Sequence, residues 1–173
     1  MKWIPEETYN EIWRQVPRAC VDVVLTQRTP NFGLGKVLLL HRVIEPGKDC
    51  WCLPGGEIKR GETNKQAAVR KVEEELGLAI DIDDLRLIGV EDAFIPQRHD
   101  VVITYTILVS GSPEIKLDFQ HDEARWFSIY GLPLQMLDIV RRQINDVEEY
   151  DKWLRFKNGQ HKASSVRSIV LKA

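Results

Sequence analysis

The 173-residue sequence predicts an α/β domain, and three observations carry that expectation. The hydrophobic period switches along the chain between the helical and the two-residue repeat, glycine and proline punctuate the switches, and one helix is bounded at both ends by its own capping residues. The length suits one core rather than two full domains. With 43% hydrophobic and 29% charged residues the composition excludes a wholly disordered chain, a collagen-like rod and a coiled coil.

The elements follow in order. Pro5 to Val16 reads as a short helix, with Pro5 at its first turn, Glu6 and Glu7 at its positive end, and Tyr9, Ile12, Trp13 and Val16 at helical spacing. Residues 1–17 are therefore set apart as a lid or dimer element. From Arg18 the period becomes two, and Val21, Val23 and Leu25 alternate with Asp22, Val24 and Thr26. A turn at Thr29-Pro30-Asn31-Phe32-Gly33 leads to a second strand over Lys36 to Arg42. Thr63 to Leu76 is helical: Thr63 and Gln66 form a capping box, and Gly77 suits the left-handed stop. Further strands are expected over Leu85 to Phe94, Val101 to Ser110 and Ala124 to Ser128. Leu134, Leu137, Val140, Ile144 and Val147 mark a second long helix. The main domain is bounded at 18–150, and residues 151–173, with Lys152, Arg155, Lys157, Lys162, Arg167 and Lys172, form a basic C-terminal tail.

Formal net charge is −2, so there is no overall positive field for long nucleic acid. No apolar run approaches the roughly 20 residues of a membrane span, and the first residues lack a signal peptide's apolar stretch, which sets the expected location as cytoplasmic. Cys20, Cys50 and Cys52 read as free thiols, because Cys50-Trp51-Cys52 has no second ligand pair for zinc. His41, His99 and His161 read as structural or solvated, and Trp51, Trp126 and Phe127 as core.

Chemistry concentrates between Gly55 and Leu78. Ala68, Val69, Val72 and Leu76 share one side of the helix, while Arg70, Lys71, Glu74 and Glu75 fall on an adjacent arc. Taken alone, Arg70 with Glu74 and Lys71 with Glu75 are ordinary i,i+4 pairs. The preceding glycine-rich loop changes the reading: a carbonyl turned inward beside clustered carboxylates is the donor set a hard divalent cation selects. Magnesium is the expected cofactor, with manganese as the alternative ion.

Gly56, Glu62, Arg70, Val72, Glu74, Glu75, Gly77 and Leu78 fall at the fixed positions of G-x5-E-x7-R-E-U-x-E-E-x-G-U, where U is aliphatic, so the chain resembles the Nudix hydrolases. That resemblance implies an α/β/α sandwich with a mixed sheet between helices, and metal-dependent hydrolysis of a small-molecule nucleoside diphosphate derivative. Lys71 stands where the family usually has a glutamate, and is expected to point away from the substrate metal. The segment Asp118-Phe119-Gln120-His121 resembles the GDP-mannose mannosyl hydrolase branch. The branch resemblance implies metal ligands at Gly55, Glu75 and Gln120, with Glu74 in support, and His121 as general base beside Arg42, Arg70 and Glu74. It also implies substrate contacts at Asp22, Arg42 and Tyr105, and release of a free sugar by attack at the anomeric carbon. Glu57 and Ala93 depart from the branch, which has arginine and histidine there. The rival reading is a pyrophosphatase attacking phosphorus, with Glu91 or Glu123 as base. A non-catalytic nucleotide-sensing module is the reading from another class, and messenger-RNA decapping lacks a basic track. Homodimerisation through the first helix completes the expectations.

Overall fold

The computed structural model describes residues 5–29, 33–95 and 98–160. The elements are α1 (Glu6–Gln15), β1 (Arg18–Thr29), β2 (Gly33–Arg42), β3 (Trp51–Cys52), β4 (Gly55–Glu57), α2 (Asn64–Leu76), a 3-10 turn (Ile82–Asp84), β5 (Arg86–Ile95), β6 (Arg98–Leu108), β7 (His121–Ser128) and α3 (Asp138–Gln160). All seven strands join one sheet, with β3-β2-β1-β6-β5 along its path, β4 beside β1 and β7 beside β2. Only β1 and β6 pair in parallel; the other ladders are antiparallel.

Helices cover both faces, which is why β1 is apolar on both. Val21, Val23 and Leu25 pack with Leu38, Leu40 and the Ala67, Ala68, Val72 and Leu76 stripe of α2. Their alternate neighbours face the other way, where Val24 packs with Val37, Leu39 and Trp51 against Val140, Ile144 and Val147 of α3. This two-faced burial is the expected sandwich.

The feature that builds the site is a fork. β1 and β2 pair from Thr26 opposite Val37 to Thr29 opposite Gly33. Beyond that the 51–57 segment fills the gap, with Leu40 and His41 opposite Cys52 and Trp51, and Cys20 to Asp22 opposite Glu57 to Gly55. The Pro54 carbonyl accepts from the Val23 N–H at 2.9 Å and anchors the wedge between them.

Several boundaries differ from expectation: α3 begins at Asp138, so Leu134 and Leu137 precede the helix they were expected to mark, β2 begins at Gly33 rather than Lys36, and β6 runs over Arg98–Leu108 rather than Val101 to Ser110. α3 runs on to Gln160, so the line drawn at 150 falls inside a helix. Asp151 explains the continuation: buried, it pairs with Arg28 at 2.7 Å and Arg155 at 2.9 Å and ties α3 to the β1–β2 hairpin. The rest of the basic tail and His161 lie outside the described residues, as do positions 30–32 of the expected turn. β7 also begins earlier than Ala124, because Arg42 pairs with His121 across a bulge in the β2 ladder.

Candidate active site

α2 presents the site because both of its ends are locked. The Thr63 hydroxyl accepts from the Gln66 N–H at 3.2 Å, the Gln66 side chain accepts from the Thr63 N–H at 2.8 Å, and Gly77 closes the helix at φ 64°. Arg70 then ties the preceding loop to the helix. It donates to Glu62 at 3.0 and 2.6 Å, to Glu74 at 3.0 Å and to the Glu57 carbonyl at 3.0 Å. Every one of these partners belongs to the signature region, so Arg70 holds the shape of the loop.

Glu75 stands at the centre, 3% exposed. One carboxylate oxygen accepts from the Gly55 N–H at 3.1 Å and the other meets the Lys71 ammonium at 2.5 Å. Burial raises its pKa, and Lys71 opposes that rise. The expectation that Lys71 points away from this point is corrected. The helical repeat places residues 71 and 75 one turn apart on one arc, and the loop packed over that arc leaves the lysine 9% exposed. Burial pushes Glu74 up, but Arg70 and then Lys71 outweigh it and hold the carboxyl below its ordinary range.

A cavity of about 310 Å³ opens from this cluster and passes between the sheet and the start of α3. Gly55, Glu75, Lys71, Arg42 and Gln120 border it at the fork. Arg42 is anchored by its Nε–H to the Pro46 carbonyl at 2.7 Å. Gly55 is required by close approach: a Cβ there would sit 2.5 Å from the Val21 carbonyl oxygen and closer still to Asp22. Asp22 also borders the cavity and accepts from Gln143 at 2.8 Å. Farther along, Arg18 grips Asp100 with two donors at 3.1 and 3.0 Å, and Arg98 joins the same carboxylate at 2.9 Å.

Other expected residues lie outside this group. Tyr105 pairs in register with Val23 and packs in the apolar core on the α2 face, away from Asp22, whose ladder partner is Thr104. His121 is buried, with its side chain 1% exposed; Nδ1 meets Asp118 at 2.7 Å, and Nε2 faces the Cys52 sulfur at 3.7 Å. Cys52 borders the cavity at that point, and burial followed by the nearby Glu75 carboxylate pushes its thiol up to about 12. Gln120 donates its side-chain amide to Asp118 at 2.9 Å. Glu91 pairs with Arg142 at 3.0 Å and Glu123 pairs with Arg125, neither of them bordering this cavity.

Sequence reasoning missed Asp118, Cys52 and the Arg18–Asp100–Arg98 cluster. Asp118 had a local signal, the three-residue spacing to His121. The arginine cluster joins two strands 80 residues apart and had none beyond the two-residue spacing of Arg98 and Asp100.

The raised pKa of Asp22 makes a stability prediction. Burial lifts it from 3.8 to about 6, opposed by the Gln143 hydrogen bond and reinforced by Asp100 and Glu91. The folded protein therefore holds this proton more tightly than the unfolded chain. That stability is fully present below pH 3.8 and lost as pH rises through about 6. Asp22→Asn should raise stability at pH 7.5 by roughly 2–3 kcal/mol, with the gain vanishing near pH 3.5. Urea melts at the two pH values test it; an equal effect at both would assign the change to lost contacts.

The mixed sheet between helices, with the glutamate helix at its fork, is the sandwich that the resemblance to the Nudix hydrolases implies. The NUDIX domain description matches residues 16–150, and the chain belongs to this family of enzymes acting on nucleoside diphosphate derivatives. It is 33% identical over 124 residues to the ADP-ribose pyrophosphatase of Methanocaldococcus jannaschii, covering 72% of this chain and 69% of the relative. It is 32% identical over 124 residues to the putative 8-oxo-dGTP diphosphatase of Bacillus subtilis, covering 72% of each. The crystal structure of the MutT NUDIX hydrolase from Burkholderia pseudomallei superposes with a TM-score of 0.66 at 27% identity, over 77% of this chain and 99% of that one. No helix among the described residues is long and apolar enough to cross a membrane.

Proposed function

We propose that the protein is a pyrophosphatase for a nucleoside diphosphate linked to a second moiety, an ADP-ribose-like compound or a nucleotide sugar. Water attacks phosphorus, the new P–O bond forms as the P–O–P bridge breaks, and the products are a nucleoside monophosphate and the phosphorylated second moiety. The observation that carries the reading is the shape and lining of the cavity. One end gathers Glu75, Gly55, Lys71, Arg42 and Gln120, and the other runs between strands and α3 to the Arg18–Asp100–Arg98 cluster, leaving room for an organic group beyond the diphosphate. The ADP-ribose pyrophosphatase relative supports the same substrate class.

The donors fit Mg²⁺ or Mn²⁺. A buried carboxylate on Glu75, the Gly55 carbonyl and the Gln120 amide oxygen are hard ligands that leave positions for water. Bound there, the ion supplies charge stabilisation at a phosphoryl oxygen and a more acidic water. Arg42 offers a second positive charge to the diphosphate, and Arg70 holds Glu62, Glu74 and the loop in place. Leu137, Ile139 and Val140 give the far end an apolar wall.

One observation favours a second reading, attack at the anomeric carbon. Asp118 orients His121 at 2.7 Å, as a base held by a carboxylate would be, and the buried ring lies directly behind Cys52, which borders the cavity. Hydrolysis of ADP-ribose and a panel of nucleotide sugars in heavy-oxygen water separates the two. Label in one phosphate product together with a sugar phosphate is expected; label in a free sugar would select the second reading.

A further inference from the structure

We infer that Lys71 is the resident counter-cation of the metal site, and that a divalent ion gains Glu75 only by displacing its ammonium group. The inference rests on the proposed role of Glu75 as a metal ligand. It starts from charge. The ion-paired cluster at the fork contains three carboxylates, Glu62, Glu74 and Glu75, and three cations, Lys59, Arg70 and Lys71. It is neutral without an ion. Carboxylates crowded at one point ordinarily repel and so draw a cation in; here that attraction is already met from within the chain.

The contact is also built into the packing. The lysine stem runs beneath the loop, so that a Cβ on Gly56 would lie 3.1 Å from Lys71 Cε. The ammonium reaches Glu75 at 2.5 Å and Glu74 at 3.5 Å, and it borders the same cavity as the Gly55 backbone. Both Glu75 oxygens are thereby engaged, one by Lys71 and one by the Gly55 N–H. A divalent ion approaching Glu75 meets a like charge at contact distance, and its binding free energy is reduced by the cost of moving that charge away. When the lysine moves, the nearest anion able to receive it is Glu74, already 3.5 Å from the ammonium.

Mn²⁺ alone is titrated against the full chain, with the free ion read by electron paramagnetic resonance. Wild type should bind one ion weakly, and K71M and K71Q should each bind one ion at least about tenfold more tightly. K71R, which keeps the charge, should stay close to wild type, and the K71Q/K71R pair carries the comparison where K71M does not fold. Affinities within about twofold across wild type, K71M and K71Q would overturn the inference, provided binding is still lost in E75Q. If E75Q added to the tighter variant leaves Mn²⁺ binding unchanged, the ligand role of Glu75 fails instead. The two failures are therefore distinguishable without measuring turnover.

Discussion

Glu75→Gln is expected to lower kcat by on the order of 10³-fold, with circular dichroism unchanged. The substitution preserves volume and one acceptor oxygen for the Gly55 N–H, so the 3.1 Å contact to the wedge survives. It removes the negative charge on which the proposed donor set depends, in a pocket where the side chain is buried and solvent cannot substitute for it. The Lys71 ammonium, 2.5 Å away, is then left without its principal partner, which further disfavours a second positive charge at the same place. Steady-state rates at saturating Mg²⁺ check the expectation; activity within about threefold of wild type would remove Glu75 from the ligand set.

The second large effect is expected at Gly55. An alanine methyl would sit 2.5 Å from the Val21 carbonyl oxygen and nearer still to Asp22, so β4 must move off β1. Strain of this kind costs roughly 2–4 kcal/mol of stability. The displacement also carries the Gly55 carbonyl and N–H away from Glu75, and a shift near 1 Å at a reacting centre costs about 10²-fold in rate. Gly55→Ala should therefore lower both the urea midpoint and kcat. A stable variant with wild-type turnover would mean that the wedge yields without disturbing the site.

How much of this was legible depends on how local the cause is. The α2 helix was readable to the residue, because its start is a hydrogen-bonded exchange between Thr63 and Gln66 and its stop is a glycine at φ 64°. Five of the seven strands were readable to within a few residues from their apolar alternation, whereas β3 and β4, too short to show a period, were not. Asp22 and Tyr105 show where such reading ends. Both sit on apolar-patterned strands, yet the parallel register that sets Val23 against Tyr105 places them on opposite faces of the sheet. His121 reads as a loop residue, because only its pairing with Arg42 across the sheet makes it the first residue of β7 and buries its ring behind Cys52.

The carboxylate helix, its caps, the glycine loop and the family they define are properties of the sequence itself, since they arise from contacts three to eight residues apart that the chain carries wherever it folds. The cavity, the burial of Lys71 against Glu75, and the Arg18–Asp100–Arg98 cluster were decided only by tertiary structure. Each depends on the fork between β1 and β2 or on the register of β1 with β6. Both are settled by packing two helices onto opposite faces of one sheet, a condition that no local stretch of the chain contains.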